Sequence, residues 1–269
     1  VPNNALIAIV GDVAPDVAYK QVERVFGDWA KGTVPAYAPT EPPPPVRRVV
    51  VIDRPGAVQT EIRAGHLAFP RTHGDHLVMD QVVKILGGEG GNRLQQVLRT
   101  QKALTYGASA DLDAYKFAGA VIAETDTRTE GTVEAVRTVV DEFFKLQRER
   151  VYDGELEGAQ DFLAGSFPLS IESPDAIATR VLNQLFYGLP LEDLPAYPER
   201  VRSVTSDDVQ RVAKQWLKPS QLSLVLVGDA SRFLKDLAGA GFSNVERIPI
   251  DQLDLTAADL RRPARGAQD

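Results

Sequence analysis

Arg99 and Tyr106, seven positions apart, are the residues of this chain best placed by type and spacing to do chemistry. Leu94, Val97 and Leu98 recur at i, i+3 and i+4, which predicts a short amphipathic helix. Arg99 follows Leu94 by five positions, so it points away from that apolar stripe and lies one turn on from Gln95. After a polar break at Thr100–Lys102, the alternation of Leu104, Tyr106, Ala108, Ala110 and Leu112 predicts a strand with those five on one face. A guanidinium and a phenol delivered by two elements across a short turn can together hold a polarised carbonyl. Each also has a plainer reading: a solvated arginine, and a core tyrosine with its hydroxyl satisfied. The small neighbours Gly107, Ala108 and Ala110 favour an open cavity floor over a packed one.

Other residue types offer less. The three histidines, His66, His73 and His76, are close in sequence, and His73-Gly74-Asp75-His76 has the donors to grip a metal. That run straddles a loop and a helix start and has no obvious distant ligand. Surface histidines beside an N-terminal helix carboxylate explain it better, so no metal ligand is assigned. Cysteine is absent, which removes disulfides, thiol catalysis and cysteine-ligated zinc while leaving the compartment open. The glycines at 87, 88, 90 and 91 are followed by Asn92-Arg93 where a phosphate loop needs Gly-Lys-Ser/Thr, and no dinucleotide fingerprint is present. Backbone freedom or close approach of chain to chain accounts for them better.

The elements around these residues read as follows. Ala5–Val10 is a buried strand and Pro15 or Asp16 starts a helix with Ala18, Val22, Val25 and Phe26 as its apolar face. Residues 35–45, PAYAPTEPPPP, hold six prolines and read as a stiff interdomain linker. Strands follow at Arg47–Asp53, Val58–Phe69 and Tyr115–Thr125, with a helix over Asp75–Leu86 and a hairpin turn at Asp113-Ala114. Helices then run from Thr129 to Arg150, from near Asp153, and after Ser173-Pro174, where serine caps and proline takes the first helical position. Gly188–Pro198, with three prolines, reads as a loop. A helix capped by Thr205 or Ser206 reaches Leu217, and strands at Leu222–Val227 and Val245–Ile250 flank a short helix. Composition is ordinary for a globular chain, 43% hydrophobic and 25% charged at a net charge of -7. No basic stripe points to nucleic acid, and no apolar run approaches the ~20 residues that span a bilayer.

The chain also repeats itself. LIAIVGDVAP at 6–15 and LSLVLVGDASR at 222–232 share strand, Gly-Asp turn and helix, and Pro2–Asn4 echoes Pro219–Gln221. Residue 1 falls inside structure, so the chain reads as a piece of something longer. The division expected is a strand-helix tail of a preceding homologous half (1–34), the linker (35–45), one domain (46–260) and a loose tail (261–269).

GGEGGNRLQQVLRTQKALTYGASA at 87–110 resembles the Gly-Gly…Arg-Leu…Leu-Arg…Tyr segment of the insulinase/pitrilysin family of zinc peptidases. Glu155-Leu156, Ser170–Pro174 and VTSDDVQRVAKQWLKPSQLSLVLVGD at 204–229 extend the resemblance, in order, over essentially the whole chain. It is similar to the catalytically silent C-terminal half of bacterial two-domain members, related to the mitochondrial processing peptidase. The resemblance implies an α+β half-domain: a largely antiparallel sheet with helices packed mainly on one face, two such halves enclosing a cavity. It implies that zinc and its activated water sit on an N-terminal partner half, on the same chain or a separate subunit, carrying His-x-x-Glu-His. It implies that Arg99 and Tyr106 bind the peptide substrate and stabilise the tetrahedral intermediate. His-x-x-Glu-His is absent here, so the chain alone is not expected to hydrolyse peptides. The alternative implied by the same resemblance is a non-catalytic scaffold subunit.

Overall fold

The computed structural model describes residues 1–37, 46–88 and 91–263. The linker residues 38–45 and tail residues 264–269 lie outside the described residues. The chain falls into two compact units, one of Val1–Pro43 with Gln160–Val204 and one of Pro44–Ala159 with Thr205–Asp269.

The larger unit is built on a six-stranded sheet. Its strands are β1 (Arg48–Asp53), β2 (Gln59–Ala68), β3 (Ala108–Ala114), β4 (Gly119–Arg128), β5 (Ser223–Gly228) and β6 (Val245–Pro249), in the order β3-β4-β2-β5-β1-β6. The β3–β4, β4–β2 and β2–β5 pairs are antiparallel, while β1 runs parallel to both β5 and β6. The mixed α/β architecture and mostly antiparallel sheet are those implied by the resemblance.

One face of the sheet carries the principal core. Alternation along β2 sends Thr60, Ile62, Ala64 and His66 inward, and they share that face with Val121 and Ala123 of β4 and Leu224 and Leu226 of β5. Helix α3 (Thr132–Arg148) packs on β2 and β4, α2 (His76–Gly87) packs on β3, and α7 (Ser206–Trp216) packs on α2 and α3. Val136, Val139, Phe143, Met79, Val82 and Val212 are buried there, each worth about 1.5–3 kcal/mol on burial. The threonines take part through a bond from Thr132 Oγ1 to Thr60 Oγ1 of 2.8 Å. Gly87, at the end of α2, is dictated by this packing: a Cβ there would stand 2.2 Å from the Ala110 nitrogen of β3. Part of the glycine cluster is thus the close approach of helix to strand.

The opposite face is divided. At one end, Val50, Ile52 and Ile248 form a second apolar cluster with Val225 and Val227, and Leu253 and Leu260 of the C-terminal segment pack against it. At the other end the same face is polar and open, as described below.

In the smaller unit, α1 (Pro15–Phe26) buries none of its residues. Helices α5 (Pro174–Tyr187) and α6 (Asp193–Arg202) accompany the last part of α4 (Asp153–Ser166). Gln160 Nε2 donates to the carbonyls of Val201 (3.1 Å) and Val204 (2.9 Å), and the rings of Phe167 and Tyr197 stand 4.9 Å apart. Ser173 caps α5 by accepting from the Ala176 amide at 3.4 Å.

Several local expectations are corrected. Residues 5–10 form no strand; Leu6, Ile7, Ile9 and Val10 are exposed, and a strand without a ladder partner is not held. The proline-rich stretch after Gly188 contains α6. Pro195 sits in the first turn, where no amide bond is lost, and Pro198 is carried inside the helix. Asp113 and Ala114 belong to β3, and the hairpin turn is one step later, closed by the Tyr115 amide on the Ala118 carbonyl at 2.8 Å. Residues 104–107 precede β3 instead of forming its first half.

Candidate functional site

The segment from Asn92 to Gly107 is the least regular part of the larger unit. Asn92 caps its helix by accepting from the Gln95 amide at 2.8 Å, and its side-chain amide donates to the Gly88 carbonyl. From Gln95 to Gln101 the helix widens into a π-helix, seen in the Lys102 amide reaching the Val97 carbonyl at 3.1 Å. Such i→i−5 turns are rare and concentrate at functional sites. Leu94 and Leu98 remain fully buried, which turns Arg99 outward. Ala103 then takes φ +50, a left-handed conformation uncommon for a residue with a Cβ, and the chain reverses toward β3.

The loop after this reversal is pinned to β4 by hydroxyls. Thr127 Oγ1 donates to the Leu104 carbonyl at 2.7 Å, and Thr125 Oγ1 donates to the Gly107 carbonyl at 2.9 Å. Thr105 Oγ1 accepts from the Gly107 amide at 3.1 Å and lies 2.8 Å from the Gly107 carbonyl. Tyr106 stands on this pinned loop with 84% of its surface exposed, so it is not a core tyrosine. It does not share a face with Ala108 and Ala110, which are buried, because the strand begins only after it.

The two predicted residues nevertheless meet. The Arg99 guanidinium carbon lies over the Tyr106 ring, 5.0 Å from its centroid. Face-on stacking of this kind occupies the ring and leaves the guanidinium N–H edge and the phenolic hydroxyl free to act. A hollow of about 340 Å³ lies on the open face of the sheet; neither Arg99 nor Tyr106 lines it, but their chain neighbours do. Gln95, one turn before Arg99, and Gly107, next to Tyr106, line it together with Glu61, Arg63, Glu124 and Asp126.

Two positioning features were not anticipated from the sequence. Thr125 and Thr127 are one: hydroxyls two apart on a strand, on its buried face, were the available signal. The other is a two-pronged ion pair, Arg93 Nε to Glu155 Oε1 at 2.7 Å and Arg93 Nη2 to Glu155 Oε2 at 2.8 Å, tying the start of the irregular helix to α4. Both side chains are mostly buried, and fork-on-carboxylate geometry of this kind fixes orientation as well as charge.

His66 is buried while His73 and His76 are partly exposed, and the three do not fit a zinc ion. His66 Nδ1 lies 2.9 Å from the Leu67 carbonyl and its Nε2 accepts from the Lys218 amide at 3.4 Å. His73 Nδ1 accepts from the Asp75 amide at 3.0 Å, and its ring stacks on Phe69 and meets Trp216 edge-on. Burial, with Arg71 and His73 nearby, pushes His76 down to about 3. Among the described residues no group of three histidines, aspartates or glutamates is arranged to hold a metal.

The family of the Peptidase M16 inactive domain matches residues 1–163. The chain belongs to the M16 peptidases, as their inactive domain. An uncharacterized zinc protease of Streptomyces coelicolor is 25% identical over 224 residues, 80% of this chain and 48% of that protein. A non-peptidase homolog of Helicobacter pylori is 25% identical over 152 residues, 55% of this chain and 34% of that protein. A crystal structure of a peptidase M16 inactive domain from Pseudomonas fluorescens superposes with a TM-score of 0.72 at 27% identity, over 81% of this chain and 52% of the other. A protease of Helicobacter pylori shares the fold at a TM-score of 0.72 and 20% identity, over 81% of this chain and 54% of the other. The chain spans about a third to a half of the length of these curated relatives.

Proposed function

We propose that this M16 inactive domain works as the C-terminal half of a zinc-dependent endopeptidase. The zinc belongs to an N-terminal partner half, on the same chain or a separate subunit. Arg99 and Tyr106 take an extended peptide substrate: the guanidinium and the phenolic hydroxyl donate to the carbonyl oxygen of the bond to be cut. Their hydrogen bonds shorten as that oxygen gains negative charge in the tetrahedral intermediate. The observation that carries this reading is the juxtaposition itself. An arginine and a tyrosine from separate elements are stacked, exposed at their polar ends and carried on a pinned, irregular backbone whose neighbouring residues line a hollow.

The test is Arg99→Ala and Tyr106→Phe in the enzyme assembled with its zinc-binding half. Removing one donor of this type costs on the order of 10²–10³ in kcat. Peptidase activity unchanged in both variants overturns the assignment. The chain by itself is expected to cleave nothing.

A second reading is a non-catalytic scaffold of the same fold. It is favoured by one observation, that the Helicobacter pylori relative is called a non-peptidase homolog. A partner half without His-x-x-Glu-His decides for the scaffold.

A further inference from the structure

A second cleft opens beside α3, the helix that packs on the inner face of the sheet, opposite the face that carries the hollow. Its first wall is one stripe of that helix. Arg137, Val140, Asp141 and Phe144 recur at i, i+3, i+4 and i+7 and line the cleft together. The stripe of Val136, Val139 and Phe143, buried in the principal core, is a different one. The second wall comes from three places. Arg47 stands directly before β1, Ser220 lies in the 3₁₀ turn Pro219–Gln221 that leads into β5, and Phe242 follows the short helix α8 (Leu234–Gly239). β1 and β5 are parallel neighbours from Arg48 and Ser223 onward, which brings Arg47 to the Pro219–Gln221 turn. Gly241 takes φ +90, a conformation open to glycine, and the chain turns there to bury Phe242. The cleft holds about 500 Å³, the size of a small-molecule site.

Floor and rim differ in chemistry. Val140 and Phe242 are buried and Phe144 is half-buried, with the Arg148 guanidinium carbon 4.6 Å from its ring centroid. Two guanidiniums stand at the rim. Arg47 is held at two points: Nη2 donates to the Pro219 carbonyl at 3.0 Å, and the guanidinium carbon lies 5.7 Å from the Phe242 ring centroid. A guanidinium carries several donors, so one bond to a carbonyl leaves the others for a ligand. Arg137 is exposed and has no hydrogen-bond or ion-pair partner among the described residues. Asp141 is the one carboxylate among the lining residues. Two guanidiniums against one carboxylate make the cleft locally positive in a chain whose net charge is -7.

We propose that this cleft binds a small organic monocarboxylate with an aromatic body. The carboxylate accepts charge-assisted hydrogen bonds from Arg47 and Arg137, and the Ser220 hydroxyl is a further donor. The ring of the ligand lies against Phe144 and Phe242, where aromatic contact adds to apolar burial. Asp141 sets the charge that fits. A second negative charge beside it is repelled, so a monoanion is taken in preference to a phosphate dianion. The same chemistry is presented by a free aromatic acid and by the C-terminal residue of a peptide. The site uses none of the residues around Arg99, and it holds for a peptidase and a scaffold alike.

Calorimetric titration of the protein with phenylpropionate, N-acetylphenylalanine and N-acetylphenylalanine amide tests it. Both acids are expected to bind, and the amide, which lacks the carboxylate, on the order of 10-fold more weakly or not at all. Tighter binding of N-acetylphenylalanine assigns the cleft to a peptide C-terminus, and tighter binding of phenylpropionate assigns it to a free acid; either upholds the proposal. Arg137→Gln removes an exposed side chain with no partner, so the urea midpoint is expected to hold while both acids weaken on the order of 10-fold. Asp141→Asn is expected to tighten binding of phenyl phosphate and to leave the two acids within a few-fold of their affinities. Absence of binding by both acids at millimolar concentration overturns the proposal, as does equal binding of the amide. Unchanged affinity in Arg137→Gln also overturns it, since the acid then sits elsewhere. Phenyl phosphate bound by the natural chain as tightly as the acids overturns the role of Asp141. Binding is read without peptidase activity, so this site and the catalytic reading fail separately.

Discussion

The outer face of the sheet is two surfaces on one backbone. At the β5–β1–β6 end it carries Val50, Ile52, Val225, Val227 and Ile248, roofed by Leu253 and Leu260. At the β3–β4–β2 end the same alternation places Glu61, Arg63, Glu124 and Asp126 outward, and the surface is a hollow. The strands that bear the polar end are as regular as those that bear the apolar end. The difference therefore lies in side-chain choice and in what lies above, and it separates two tasks. The covered end contributes to the stability of the sheet. The bare end, lined by Gln95 and Gly107 from the segment that carries Arg99 and Tyr106, leaves its strand face unburied.

Substitutions at the two ends should accordingly move different quantities. Arg99→Ala is expected to lower kcat of the assembled peptidase by on the order of 10²–10³, about 3–4 kcal/mol of barrier. Because Arg99 and Tyr106 are exposed, stability should change by less than about 0.5 kcal/mol. Steady-state kinetics beside urea unfolding reads both. A large stability loss with Arg99→Ala would make the bare end structural and erase the contrast. Ile248→Ala, at a side chain with 0% exposure, should cost about 2–5 kcal/mol of stability. Leu67→Ala, on the outward side of β2 and half exposed, should cost less than about 1 kcal/mol. Similar urea midpoints for these two variants would break the comparison.

Much of this was legible in the sequence because it is local. Alternation placed β2 within a residue of its ends, and Pro15, Ser173 and Thr205 marked helix starts through chemistry confined to one turn. Thr205 proved to be the cap, in a reciprocal arrangement with Asp208. What the sequence hid depends on distant partners. Residues 5–10 have strand composition without a ladder. Pro198 reads as a breaker yet sits inside α6. The π-helix leaves no periodic trace over seven residues, and without it the strand register carried Tyr106 onto the wrong face. The roof formed by Leu253 and Leu260 was likewise invisible, since two leucines in an irregular tail carry no period.

Acid should sharpen the contrast, because the two imidazoles with depressed values, buried His66 and partly buried His76, lie behind the bare end. His66 is on the inner face of β2, and His76 opens α2, which packs on β3. Burial is the leading cause for each; Lys218 adds to it for His66, and Arg71 and His73 add to it for His76. His76 stays neutral in the folded chain well below pH 6.5 and His66 takes up its proton at lower pH than it does unfolded, whereas the unfolded chain protonates near pH 6.5. Below that value the unfolded state binds more protons, so stability falls as pH falls. For His76 the loss continues to about pH 3. Between pH 6.5 and 5 the His76 contribution is at most about 2 kcal/mol. Urea midpoints across that range should fall, and His76→Gln should flatten the fall. Hydrogen exchange at pH 5 should rise in α2, β3 and β4 before β1 and β6. A uniform rise across the sheet would mean that the two ends open together.

The smallest effect expected is at the ion pair between Arg63 and Glu124, directly opposed across β2 and β4 on the bare face. Its side chains are 54% and 43% exposed, so solvent screens the attraction and the coupling should be about 0.2–1 kcal/mol. A double-mutant cycle with Arg63→Gln and Glu124→Gln measures it by urea unfolding. In 1 M salt, where the screening length falls to about 3 Å, the coupling should vanish. At the covered end, the same salt should leave the cost of Ile248→Ala unchanged or slightly larger, since apolar burial is not screened. A coupling above about 2 kcal/mol that survives salt would place Arg63 and Glu124 in a low-dielectric setting. The bare end would then be covered in solution, and the hollow lined by the chain neighbours of Arg99 and Tyr106 could not admit a peptide.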